Sequence, residues 1–284
     1  MKHLKQVIQS IKQQDESSSE LQQLIWELIC YSPKMPLRQH QQQLINLSEQ
    51  ILLKADDTYF SKKKLNFPCF IWGEGIKIVL LVHGWGSKAL DFYDLIQGLL
   101  SLPDVKVIAF DAPGNGSAEG HLSNLFLFVD AIKEIEKLYG VPHAIIGHSL
   151  GGMAAVRVLH ETRVYPELLI TIAPLINLKD NFKGSMDNLG LSDESQQLFL
   201  DDFETLYQQS INNFHVPEMY DFAGSIKHML IYEQNDTVSP ITDIEEFLHQ
   251  YPEVIPVKNE HTSHAKIISD AEVISNIVQQ LKVH

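Results

Sequence analysis

The chain has little cysteine, and its two cysteines are not spaced to work together. Cys30 and Cys69 stand alone with no C-x-x-C arrangement. That argues against a disulfide scaffold or a thiolate cluster and fits a reducing compartment in which each is a small buried hydrophobe. Positive charge is also scarce: 22 Lys and Arg against 36 Asp and Glu leave a formal net charge of −14. No basic stripe interrupts the acidity, so a nucleic-acid partner is not expected. The densest basic cluster, Lys62-Lys63-Lys64, reads as a solvated face. No apolar run reaches the length of a membrane span, and residues 1–20 lack the apolar segment of a signal peptide, so the expectation is a cytoplasmic chain. Internal repeats are missing too. The chain does hold enough apolar residues, 44% of 284, for one large α/β domain or two smaller ones.

Residues 1–60 read as a helical extension. Leu4, Val7, Ile8 and Ile11 recur at helical spacing, and Asp15 to Ser19 interrupts them. Ser19 and Gln22 suit a capping box opening a second helix through Leu21, Leu24, Ile25, Leu28 and Ile29, stopped by Pro33. A third stripe, Leu44, Leu47, Ile51 and Leu52, predicts another helix. Packing on the core, pairing two subunits into a homodimer and contacting a partner all remain open for these helices.

Over residues 61–284 the texture changes to short apolar runs: Phe67 to Trp72, Ile78 to Val82, Val105 to Phe110, Ala144 to Ile146, Leu168 to Ala173, Met229 to Glu233 and Val254 to Lys258. Helical patterns alternate with them at 89–100, 122–139, 150–160, 242–250 and 267–281. Near-continuous hydrophobic strands separated by helices predict an α/β fold with a mostly parallel sheet covered on both faces. The stretch at about 174–227 departs from this alternation; its helical and aromatic content predicts an inserted cap, a second surface through which a homodimer is conceivable.

Ile145 to Gly152 reads I-I-G-H-S-L-G-G, the pattern of a nucleophilic serine on a sharp strand-to-helix turn. Such a turn requires residues without side chains two before and two after the serine, and Gly147 and Gly151 meet that demand. Chance supplies G-x-S-x-G about 0.1 times in a chain of this length at ordinary Gly and Ser usage. The flanking apolar strand and helix-forming Met153 to Leu159 give the match its weight. A serine alcohol needs an imidazole to take its proton and a carboxylate to orient that imidazole. Both are expected after later strands. Asp236 follows the strand ending at Glu233, with Glu233 and Asp243 as weaker alternatives. His261 and His264 both follow the last strand, and their H-x-x-H spacing lacks the third ligand that a metal site wants.

Together with His83-Gly84-Trp85-Gly86 and Asp111-Ala112-Pro113-Gly114-Asn115-Gly116-Ser117, the elbow resembles the α/β-hydrolase superfamily over Phe67 to Leu281. It is similar in particular to a bacterial esterase-like branch with an H-G-W motif and a terminal G-H-x-x-[IL]-L-x-[DN]-x-x-V pattern. His264 to Val273 falls into that register, with Ser263 in place of Gly and Ile268 in place of Leu. The resemblance implies Ser149, Asp236 and His264 as catalytic residues, and Trp85 as one backbone donor of an oxyanion hole. Leu150, at the helix start, supplies the other donor. His83 and Asp111 are expected to support their turns.

Trp85, His148, Phe182, Phe199 and Phe203 are the expected substrate-binding residues, with Leu189 and Phe214 as further candidates for an apolar acyl tunnel. For the cap residues, simple packing onto the sheet is an equal alternative. The expected chemistry is cleavage of a carboxylic ester or thioester through an acyl-enzyme, without a cofactor or metal. Serine at the elbow argues against the alkyl-enzyme chemistry of dehalogenases and epoxide hydrolases. A ligand sensor with slow or single turnover is the alternative function.

Overall fold

Three short amphipathic helices open the chain: α1 (Lys2–Ile11), α2 (Ser19–Cys30) and α3 (Gln39–Asn46). They belong to a computed structural model that describes residues 2–14 and 18–283; Asp15 to Ser17, part of the expected interruption, lie outside it. Val7 and Ile11 of α1 and Leu21 and Ile25 of α2 are buried, as the helical spacing requires. The cap of α2 is Ser18 rather than Ser19. Ser18 takes the extended backbone from which its hydroxyl accepts the Leu21 N–H at 3.0 Å, and Ser19 is already helical.

The third helix ends sooner than its apolar spacing suggests. Ile51 and Leu52 belong to a strand, β1 (Glu49–Asp57), paired antiparallel with β2 (Lys63–Trp72) from Glu49 opposite Ile71 to Asp57 opposite Lys63. Ile51, Leu53, Ala55 and Asp57 turn inward at a period of two, and Leu52 faces solvent. Helical spacing at 44, 47 and 51 is coincidental; pairing with β2 decides the conformation. The helical part of the first 60 residues therefore stops at Asn46, and residues 49–57 belong to the main sheet.

The chain continues through β3 (Lys77–Val82), α4 (Tyr93–Leu99), β4 (Val105–Phe110), α5 (Leu125–Tyr139), β5 (Ala144–His148), α6 (Leu150–Thr162) and β6 (Leu168–Ile172). Then come α7 (Leu178–Asp187), α8 (Asp193–Tyr207) and α9 (Val216–Met219), within the stretch expected to form a cap. It ends with β7 (Lys227–Glu233), α10 (Ile241–Gln250), β8 (Ile255–Asn259) and α11 (Ala271–Val283). The sheet order is β1-β2-β4-β3-β5-β6-β7-β8, antiparallel for the first two pairings and parallel from β4 onward.

Alternation along the strands splits the core into two layers. Leu80, Val82, Ile108 and Phe110 face the layer of α5, α6 and the cap. Val79, Leu81, Val107 and Ala109 face that of α4 and α11. Because β3 leads to β4 on one side and lies beside β5 on the other, the sheet order reverses at β3. A crevice opens there, beyond the carboxyl ends of β3 and β5. Among the described residues no helix is long and apolar enough to cross a membrane.

Candidate active site

Ser149 sits in that crevice, between the end of β5 and the first turn of α6. Its backbone is at φ 53° and ψ −122°, a conformation that L residues rarely hold. The neighbours explain how the turn closes so tightly. A Cβ on Gly147 would stand 2.5 Å from the Gly151 oxygen, and one on Gly151 only 2.2 Å from the Val82 oxygen. Side chains are thus excluded at both positions by backbone, which cannot give way.

Two loops from the far half of the sheet reach the serine. Asp236 follows β7 and His264 follows β8. His264 Nε2 lies 2.9 Å from Ser149 Oγ, and its Nδ1 lies 2.6 Å from Asp236 Oδ2. Of the alternatives, His261 is exposed, its backbone N–H donating to Asn259 Oδ1; Glu233 accepts the Asn235 N–H; and Asp243 lies on α10. Burial pushes the Asp236 carboxyl up. The hydrogen bond and charge of His264, with the N–H groups of Val238 and Ser239, outweigh this and hold it below the usual carboxylate range. An anionic Asp236 accepts Nδ1–H, which leaves Nε2 free to accept from the serine.

His148 supports this arrangement from below and does not line the crevice. It is buried, and its Nε2–H donates to the His264 carbonyl oxygen at 2.8 Å. Burial, and then the neighbouring His264, push its pKa down to about 3, so the ring is neutral. That bond ties the end of β5 to the loop carrying His264. His148, expected to bind substrate, is not among the residues that line the cavity: its Nε2 is taken up by the protein backbone, and its Nδ1, buried without a hydrogen-bond partner among the described residues, lies beside Gly84.

The H-G-W turn runs past the serine; a Cβ on Gly84 would be 3.0 Å from that of Ser149. His83 holds the turn: Nδ1–H donates to the Gly84 oxygen at 2.7 Å and Nε2 accepts the Ala112 N–H at 2.9 Å. Asn115 Oδ1 accepts the Gly86 N–H, and Asp111 accepts the N–H groups of Ala89 and Ser117. Leu150, first residue of α6, carries an N–H that the helix leaves without a partner.

Above Ser149 opens a cavity of about 340 Å³, within the range of small-molecule sites. Of the residues expected to bind substrate, Trp85, Phe182 and Phe203 line it. Phe199 and Phe214 do not: both are fully buried, Phe199 against Trp26 and Phe182, Phe214 against Phe126 and Phe203. Leu189 also lies off the wall and packs against the core. The wall that sequence reading missed is α2, which contributes Trp26, Leu28, Ile29 and Cys30. Trp26 is fixed by donating Nε1–H to Asp202 Oδ2 at 2.6 Å and by rings of Phe199, Phe203 and Tyr207. A signal existed: Leu24-Ile25-Trp26 and Leu28-Ile29-Cys30 are apolar around more than one face of the helix, which marks a helix buried on two sides.

Residues 79–272 match a sequence model of the alpha/beta hydrolase family. The Rhodobacter capsulatus magnesium-chelatase 30 kDa subunit is 33% identical over 111 residues, 38% of this chain and 37% of that protein. Human monoglyceride lipase is 28% identical over 136 residues, 44% and 42% of the two chains. The pimeloyl-[acyl-carrier protein] methyl ester esterase of Serratia marcescens is 29% identical over 145 residues, 50% and 52% of the two. These matches span about half or less of each curated relative. Among solved structures, the Pyrococcus furiosus esterase Pf2001 superposes with a TM-score of 0.62 at 21% identity, covering 89% of this chain and 97% of the other. At that identity the likeness is one of fold.

Proposed function

The chain belongs to the alpha/beta hydrolase family, and from that premise we propose that it hydrolyses carboxylic esters through an acyl-enzyme formed on Ser149. Membership alone does not set the activity, since the relatives include a chelatase subunit beside a lipase and an esterase. The observation that carries the reading is the unbroken relay from Asp236 through His264 to Ser149, at 2.6 and 2.9 Å, opening into an apolar cavity.

In the proposed reaction, Ser149 Oγ attacks the acyl carbon as its proton passes to His264 Nε2. Asp236 keeps the imidazole in the required tautomer and stabilises the imidazolium. The carbonyl oxygen, now anionic, takes hydrogen bonds from the N–H groups of Leu150 and Trp85. Collapse expels the alcohol, which receives its proton from His264, and water then repeats the sequence on the acyl-serine. A thioester would follow the same steps, with a thiol as leaving group. The wall formed by Trp26, Leu178, Phe182 and Phe203 suits an apolar acyl chain.

The test pairs a fluorophosphonate probe with p-nitrophenyl esters of rising chain length. Wild type is expected to be labelled and to turn over many molecules of ester, and Ser149→Ala to do neither. Labelling of wild type with only a single turnover, together with a melting shift on adding ester, would favour a sensor instead.

A further inference from the structure

Apart from the relay of Ser149, His264 and Asp236, three side chains from three segments converge on one point. His3 of α1 places Nε2 2.6 Å from Glu27 Oε1 of α2, and His121, in the loop before α5, places its own Nε2 2.5 Å from the same oxygen. All three atoms lie within 4.8 Å of one another. We propose that this is a binding site for a divalent transition-metal ion of the Zn²⁺ type, held by His3, Glu27 and His121 and completed by water.

The donor set is the first argument. Two imidazole nitrogens and a carboxylate oxygen form a set that zinc accepts with a fourth position open to solvent. Preorganisation is the second. The Tyr31 ring packs against both imidazoles, with centroids 4.5 Å from His3 and 5.3 Å from His121. The backbones are joined as well: Tyr31 bridges Leu122, and the Ser123 N–H donates to the Cys30 oxygen at 2.8 Å. Glu27 and His121 are thus held side by side before any ion arrives. Access is the third. His3 and His121 are 41% and 62% exposed at the side chain, and a chain of net charge −14 draws cations.

The two histidine-to-Glu27 spacings are now those of hydrogen bonds. Zinc bonds of about 2.0–2.1 Å in a tetrahedron set ligand atoms roughly 3.3 Å apart, so binding lengthens each histidine-to-Glu27 spacing by under about 1 Å, which the two solvent-accessible rings accommodate by rotating. Each imidazole then carries its proton on Nδ1 and gives Nε2 to the metal. The ion would pin α1 to α2 and to the loop before α5. Because α2 also forms a cavity wall, occupancy would stiffen the substrate site. The site needs no assumption about the reaction at Ser149.

Calorimetric titration of Zn²⁺ into full-length protein freed of metal by chelator, in a non-chelating buffer, tests this directly. One equivalent is expected to bind and to raise the melting temperature, while His121→Ala and Glu27→Gln each weaken binding at least tenfold and lose the melting shift. Glu27→Gln keeps a hydrogen-bond acceptor, and His121 is exposed, so both variants should melt like wild type without metal. Co²⁺ in place of zinc should give the visible bands of a four- or five-coordinate N/O site in wild type and not in the variants. Absence of a stoichiometric zinc equivalent, or wild-type binding in both variants, would overturn the proposal.

Discussion

The rim of the sheet around Ser149 and the wall of the cavity above it are built by different means. At the rim, position is set by backbone: strand ends, two glycines without room for a methyl group, and loops fastened through His83, Asp111 and His148. The wall is set by side chains from α2, α7 and α8 leaning on one another, with Trp26 at their centre. Backbone placement tolerates almost no change of residue type, whereas a packed wall tolerates many exchanges of similar volume. The proposed chemistry therefore rests on the rigid region, and substrate preference on the adaptable one.

The sharpest way to break that contrast is at the serine. Ser149→Ala is expected to lower kcat on a short ester by about 10,000-fold or more with the melting temperature unchanged, as steady-state kinetics and calorimetry would show. A smaller loss would move the chemistry away from the rim. Next comes Gly151→Ala, whose Cβ would meet the oxygens of Val82 and His83. We expect a cost of about 3 kcal/mol or more from overpacking, measured by chemical denaturation, and a wild-type midpoint would contradict a backbone-limited elbow.

Trp26→Ala tests the wall. It is expected to reduce kcat/KM for long-chain esters by about 10- to 200-fold, the worth of a few apolar contacts, and to leave acetate esters nearly unaffected. Equal losses across chain lengths would show that α2 supports the rim as well.

The mildest test is acid. Burial pushes His148, with His264 adding to the effect, and His228 down to about 3 from an ordinary 6.5. Between those values the unfolded chain binds the proton and the folded chain does not. Their contribution is thus complete above about pH 6.5 and is lost as the pH falls toward 3, by about 1.4 kcal/mol per pH unit for each ring. His228, held by Thr171 and Tyr220, lies away from the cavity lining, so denaturation midpoints of His228→Asn should show a shallower acid slope with esterase activity retained. An unchanged slope would remove His228 from the account.

Much of the fold was legible because buried parallel strands are near-continuous apolar runs: β4 begins and ends where its hydrophobic run does, and β3 and β7 start only one and two residues early. β1 was not legible, since its apolar residues also fit a helix and only β2 selects the strand. The elbow could be read from its glycines, and Asp236 from its place after β7. Choosing between His261 and His264 needed a resemblance, because both follow the same strand. Phe199 and Phe214 looked like lining residues because aromatic content says nothing about which side of a helix meets empty space.

The order of residues alone determined the alternation of strand and helix and the two positions where the chain must lack a side chain, because those are local demands of sterics and hydrophobic period. Which side chains meet across 115 residues between Ser149 and His264, which helix walls the cavity and where three ligating groups gather were decided only in three dimensions. Such contacts depend on how distant segments pack, and packing leaves no periodic trace in the sequence.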